Sequence, residues 1–386
     1  MTDLVINCRR TPFGSTLGVA HLVLNLAREL QDRHRLVFVV DAESDVDNTP
    51  AAETIRACGD VVTFDEARIR ADLRAAVEFL PHHFQPREIA DRSIVICHDL
   101  HVFDLPDKYG AAASRMQEGF RRNLREADAV FAHFPRTFTD VERVAGVALP
   151  SLFLMDAPLL FDSAAALGQA RVDRSATRLL YPAQLQTHKN HLALIESIAR
   201  VRTTGRDIRL RCPGSDFDEE FTSVLLGAVE RAELKGVVEF LGRIDEAALL
   251  DEYRSCDAVV VPSAAEGGAY VALEGVMAGK PVAVNDIRSA RMHVEQVGAD
   301  VHWFDSEDSD ALDAAIEHLA DVDQEQLSQA NESCRARLAA TLWSQPAELI
   351  SDVVASFIAG QRPPMLRTDR TFSSIDYFPA TGGFRV

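Results

Sequence analysis

Apolar runs of strand length alternate with amphipathic stretches along most of the chain. Residues 4–8, 36–40, 93–97, 129–132 and 152–154 are short and rich in apolar side chains, as buried strands require. After the first run comes a loop holding Gly14 and Gly18. Val19, Leu22, Val23, Leu26 and Leu30 then recur at helical spacing. A second helix over 120–127 leads into the run at 129–132. Buried strands separated by helices predict a parallel sheet covered on both faces.

The pattern breaks over 162–175, a stretch rich in Ala, Ser, Gly and Asp that reads as a domain linker. It restarts with predicted strands at 178–181, 208–212, 237–241, 258–261, 281–284 and 301–304. Helices over 191–202, 219–233, 246–255, 270–278 and 309–320 fill the gaps. This is a second doubly wound α/β domain. Polar helical segments follow over 324–340 and 346–358. The expected division is an N-terminal Rossmann-like domain over 1–165, a second over 175–342, and a terminal helix and tail over 343–386. The tail mixes Pro, Gly, Ser and Thr with Phe372, Tyr377, Phe378 and Phe384. Those aromatics predict packing on a domain, or on a second copy of the chain in a homo-oligomer.

Composition narrows the class. A hydrophobic fraction of 47% suits two cores in 386 residues, and no apolar run approaches the roughly 20 residues of a membrane span. The first residues lack the order of a secretory signal, so a cytoplasmic protein is expected. A formal net charge of -19 argues against nucleic acid as a partner. The arginines within 115–125 read as a solvated helix face. Six cysteines form no CxxC pair and no Cys/His zinc spacing, so they read as reduced, structural residues, and no metal site is expected.

The polar residues of interest fall at predicted strand ends, where open parallel sheets bind ligands. His98 and Asp99 follow the run at 93–97, a Pro-Ala-Gln turn with Gln184 follows 178–181, and Gly214 and Asp286 close two others. Glu266 follows 258–261, and Glu274 lies eight positions on, inside the next helix. Between them stand Gly267, Gly268, Ala269 and Tyr270. A buried strand, a turn with two glycines and a helix N-terminus suit an anionic, hydroxyl-rich ligand, such as a nucleotide-sugar.

These segments resemble a known family. Residues 181–191, Tyr-Pro-Ala-Gln-Leu-Gln-Thr-His-Lys-Asn-His, are similar to the phosphate-binding turn of the retaining GT-B glycosyltransferases of the GT4 (glycosyltransferase group 1) family. Glu266 to Glu274 resembles that family's paired-glutamate motif, and Ile96-Cys-His-Asp-Leu its His-Asp-Leu loop. Residues 22–30 resemble its first long helix, and Trp343 with the helix after it the segment that crosses back to the first domain. The likeness spans about residues 15 to 358. It implies two Rossmann-like domains facing a cleft, with the acceptor on the first and the nucleotide-sugar donor on the second.

The resemblance also implies roles. Lys189, one of only four lysines, goes to the donor diphosphate, where charge grows during transfer. Glu266 goes to the transferred sugar and Glu274 to the ribose. His98 lies near sugar and acceptor, and Asp99 holds its loop. Gly14 and Gly18 form the acceptor-side first turn. Gln184 stands where many members carry a second diphosphate-clamping arginine, and Gly268, Ala269, Tyr270 and Val271 depart from the usual residues. The expectation is a metal-independent retaining transferase that needs no cofactor beyond a UDP- or GDP-sugar. A glycan, a lipid-linked molecule or a small molecule is the acceptor. A glycosidase-like acid/base pair at the two glutamates is the rival reading of the motif. A catalytically silent GT-B partner protein, an epimerase and an inverting transferase are the alternatives for the chain.

Overall fold

A computed structural model describes residues 4–11, 13, 18–149, 151–159, 176–216, 218–322 and 324–363. Gly14, the linker at 162–175 and the aromatic tail lie outside these residues. Two parallel sheets form the framework. The first holds β1 (Leu4–Asn7), β2 (Leu36–Val40), β3 (Gly59–Thr63), β4 (Val77–Leu80), β5 (Arg92–Cys97), β6 (Ala129–Ala132) and β7 (Leu152–Leu154). Their order is β3-β2-β1-β4-β5-β6-β7. The second holds β8 (Thr177–Leu180), β9 (Ile208–Pro213), β10 (Val238–Gly242), β11 (Ala258–Val261), β12 (Val282–Asn285) and β13 (His302–Phe304), in the order β10-β9-β8-β11-β12-β13. Strand order reverses between β1 and β4 and between β8 and β11, which opens a crevice at the carboxyl ends of each sheet.

Two strands escape the apolar pattern. β3 is a partly exposed edge strand, Gly-Asp-Val-Val-Thr, whose pairing with β2 brings Gly59 against Leu36. β4 carries Glu78 in the middle of the sheet, fully buried. Glu78 accepts from Asn7 Nδ2 at 2.7 Å and from the amides of Glu88, Ile89 and Ala90 at 3.1, 2.8 and 3.2 Å. A buried carboxylate persists because four donors replace its water. Helices Pro135–Ala145 and Arg288–Val297 also lie where no helix is expected from the sequence, and the segment at 324–340 splits into Gln324–Ala330 and Glu332–Ala339.

The last helix, Ser344–Ile358, crosses back onto the helix Val19–Leu30. Ala347, Ile350, Val353 and Val354 join the core of the first sheet, and the Trp343 ring meets His21 edge-on at 5.6 Å. The last described helix therefore packs in the same core as β1. The two domains also meet where helix Pro135–Ala145 packs on helix Arg288–Val297, with Arg288 Nη2 3.1 Å from Asp140 Oδ1. All six cysteines are free and buried. Among the described residues no helix is long and apolar enough to cross a membrane. Arg115, Arg122 and Arg125 are exposed, as a solvated face requires.

Candidate active site

The wall from the second domain is built by the turns after β8 and β11. Tyr181, fully buried, follows β8, and its hydroxyl donates to the Lys189 carbonyl at 2.9 Å. The same oxygen lies 2.6 Å from Ser263 Oγ in the turn after β11, which ties the two turns together. Asn285 braces that turn: Nδ2 donates to the Ser263 carbonyl at 3.0 Å, and Oδ1 accepts from the Ser306 amide at 2.9 Å. Lys189 closes the short turn Thr187–Lys189, just before the helix His191–Thr203. Its Nζ lies 2.6 Å from Glu266 Oε1. Two residues assigned to one site on sequence grounds are thus ion-paired across 77 positions.

The other donor-side residues divide. Gln184 is exposed, and its Oε1 accepts from Gln186 Nε2 at 2.8 Å. Gly214 supports the wall from behind. At φ 157, a Cβ there would stand 1.9 Å from the Ala183 carbonyl oxygen, so only glycine lets the β9 turn lie against the β8 turn. Glu274 is buried in the helix Tyr270–Met277 and accepts from the Tyr253 hydroxyl at 2.7 Å. Asp286 pairs with Arg291 on its own side of the cleft.

The first domain supplies imidazoles. His98 follows β5 and His133 follows β6. His98 Nε2 is 2.7 Å from the Pro81 carbonyl, which can only accept, so Nε2 carries the proton. Nδ1 then accepts from His133 Nδ1 at 3.0 Å, and His133 Nε2, left bare, accepts from the Tyr270 hydroxyl at 2.7 Å. Burial depresses the pKa of both rings, which keeps this neutral arrangement. Tyr270 also lies 3.2 Å from the Ala157 carbonyl. A chain of hydrogen bonds thus joins the domains, and both His98 nitrogens are engaged. Asp99 accepts from the His101 amide at 2.9 Å, which holds the loop. Burial alone would raise the Asp99 carboxyl. The His101 and His83 imidazoles and the His101 amide outweigh burial and hold the carboxyl well below the usual range.

Gly267 and Gly268 line the cavity between the two domains and also admit the first domain: a Cβ on Gly267 would stand 2.7 Å from the His98 carbonyl oxygen, and one on Gly268 2.2 Å from Phe134 Cδ1. Phe134 stacks on His133 at 4.4 Å and meets Tyr270 and His293 edge-on at 5.1 and 5.4 Å. The Ala269 amide donates to His293 Nδ1 at 3.0 Å. Tyr270, expected to reshape the ligand wall, also bolts the domains together. Gly18 has φ 62 at the start of the helix Val19–Leu30, a conformation that glycine adopts without strain.

Between the two walls lies a cavity of about 200 Å³, lined by His98, Asp99 and His101 on one side and by Ser263, Glu266 and the 267–271 turn on the other. A larger one, about 590 Å³, opens at the hinge between His21, Arg28, Met277 and Trp343. None of the residues singled out for chemistry lines it, so the smaller cavity is the candidate site. His133 and Lys108 went unseen in the sequence. His133 follows β6 as His98 follows β5, so the strand-end rule reaches it. Lys108 carries no local signal. It comes from the first domain, yet its Nζ donates to Gln186 Oε1 at 2.8 Å and to His188 Nδ1 at 2.9 Å.

Comparison with known proteins agrees with this geometry. Residues 168–336 match the family model of glycosyl transferases group 1. The chain is a glycosyltransferase. Its two-domain architecture is the GT-B fold. Sucrose-phosphate synthase from Thermosynechococcus elongatus superposes with a TM-score of 0.70 at 16% identity, covering 94% of this chain and 100% of that one. HepE of Anabaena, solved in complex with UDP and glucose, gives 0.68 at 16% identity, covering 92% and 100%. The α,α-trehalose 6-phosphate synthase of Burkholderia multivorans gives 0.64 at 13% identity, covering 93% and 98%. At these identities the likeness is one of fold. No curated protein matches the chain by sequence.

Proposed function

We propose that this glycosyltransferase moves a sugar from a UDP- or GDP-sugar to an acceptor hydroxyl with retention of configuration and without a metal ion. The observation that carries the reading is the meeting of Lys189 and Glu266 at one strand-end crevice, 2.6 Å apart, with Glu266 facing His98 and Asp99 across the cavity. Lys189 and the N-terminus of the helix His191–Thr203 neutralise the donor diphosphate. Glu266, released from Lys189 by that anion, accepts hydrogen bonds from the sugar hydroxyls. Glu274, fixed by Tyr253, serves the ribose. Gln184 faces the phosphates, Gly214 keeps their turn close, and Gly267, Gly268, Ala269 and Tyr270 shape the sugar wall.

The acceptor sits on the first-domain side, against Asp99 and Gly18. His98 has both ring nitrogens engaged, so it orients groups and takes no proton in this arrangement. The acceptor oxygen bonds to the anomeric carbon as the bond to phosphate breaks, and the departing phosphate oxygen takes the acceptor's proton on the same face. HepE, of the same fold, binds UDP and glucose. The six free cysteines suit a reducing compartment, and we place the enzyme in the cytoplasm.

Donor turnover by Lys189→Ala and Glu266→Ala tests the assignment. Removing the cation is expected to lower the rate by about 10²–10³, the cost of deleting one group that stabilises developing charge. Wild-type rates in both variants would end the assignment. Chelator is expected to leave turnover unchanged, and an inverted anomer in the product would overturn retention.

A further inference from the structure

Two of the chain's four lysines converge on one turn. Lys189 belongs to it. Lys108, on the short helix Pro106–Tyr109 of the first domain, reaches it from across the cleft. Its two acceptors, Gln186 Oε1 and His188 Nδ1, are neutral. His188 is buried. Burial first, then the charges of Lys189 and Lys108, push its pKa down to about 3, so it accepts throughout the physiological range. Lys108 forms no ion pair with a carboxylate among the described residues, in a chain where Asp and Glu outnumber Lys and Arg by 59 to 40. The residue is exposed overall, yet partial desolvation and then the Lys189 charge lower its pKa. Glu266 pairs with Lys189 and not with Lys108, so the second ammonium group at this turn is matched only by neutral acceptors and suits an anionic ligand. Gln184, where the resemblance expects an arginine, is bonded through its side chain to Gln186, the same residue that accepts from Lys108.

We propose that Lys108 is the second cation of the donor-diphosphate site. The first domain delivers it on closure and so makes up the charge absent at Gln184. This rests on the donor-site reading above. It makes tight binding of the diphosphate depend on the two domains being together, since only the closed arrangement presents both ammonium groups.

Calorimetric titration of the full chain with UDP and GDP, and with UMP and GMP, tests this in wild type, Lys108→Met and Lys108→Arg. Melting curves verify that each variant is folded. For the diphosphate that wild type binds, Lys108→Met is expected to weaken affinity roughly tenfold to hundredfold, as loss of a charge-assisted hydrogen bond does. The monophosphate is expected to lose less than the diphosphate, and Lys108→Arg to keep most of the affinity. Equal diphosphate affinity in wild type and Lys108→Met would overturn the role of Lys108 and leave the donor site intact. An acceptor KM that rises while diphosphate affinity holds would also overturn it, by moving Lys108 to the acceptor. Failure of wild type to bind either diphosphate would instead sink the donor-site reading itself.

Discussion

Replacing Gly268 with alanine sets a methyl group where the first domain already stands. Its Cβ would lie 2.2 Å from Phe134 Cδ1, 2.6 Å from Phe134 Cε1 and 2.8 Å from His293 Nδ1. Carbon atoms rest about 3.5–4.0 Å apart, so the Phe134 ring must retreat by more than about 1 Å. Overpacking of this kind costs roughly 1–3 kcal/mol. Phe134 belongs to the first domain and Gly268 to the second, so the strain is relieved most simply when the domains part. A cost of that size lowers the closed fraction, and with it kcat/KM for the donor, by roughly 5- to 150-fold. The methyl group touches neither domain's central core, so the melting temperature should move little. Steady-state kinetics and thermal melts read the two effects separately. Adding Phe134→Ala to Gly268→Ala should recover part of the loss relative to Gly268→Ala alone, because it empties the space the methyl group needs. A Gly268→Ala enzyme with wild-type kcat/KM, or a double variant no better than that single one, would show that this contact does not govern closure.

Other expectations follow from the same structure. Ile350→Ala should destabilise the chain by about 2–5 kcal/mol in urea unfolding, because Ile350 is fully buried in the first domain's core; a loss below about 0.5 kcal/mol would mean the crossing helix is not docked there. Burial lowers the pKa of His82 and His293 to about 4 and of His191 to about 3, with Lys189 also acting on His191. These rings are neutral in the fold, while the unfolded chain takes up their protons near 6.5, so it binds more protons. Stability is therefore present above pH about 6.5 and is lost as the pH falls toward the folded values; melting temperatures that stay flat from pH 6.5 to 4 would contradict this. Tyr270→Phe removes the hydroxyl shared between His133 and Ala157 and should cost about 0.5–1.5 kcal/mol. That loss should shrink when His133 is already replaced, and simple additivity would break the proposed link.

Strand positions were legible wherever burial on both faces forces an apolar run, as in β2, β6 and β11. The rule fails at β3, an edge strand with polar Asp60, and at β4, where Glu78 interrupts the run. Glu78 is tolerated by Asn7 and by amides at 88–90, partners that only the tertiary fold assembles. Much of the site was legible for a related reason. Parallel sheets place their crevice at strand ends, so His98 and Glu266 could be picked from short motifs next to apolar runs, while Lys189 came from the resemblance of its turn. What the sequence conceals is which groups meet across the cleft. The glycines at 267 and 268 announce that something comes close, but not that it is Phe134. Lys108 sits 78 positions from Gln186 and becomes its neighbour only when two separately folded sheets face each other.

The most direct test of the donor site is the melting temperature of wild type and Lys189→Ala in a panel of UDP- and GDP-sugars. A ligand at a hundred times its Kd stabilises the fold that binds it by about 2.7 kcal/mol, roughly 5–10 °C for domains of this size. At least one nucleotide-sugar should raise the wild-type melting temperature by that amount and leave Lys189→Ala almost unmoved. A panel that stabilises neither protein, or both equally, would contradict the placement of the donor at Lys189 and Glu266.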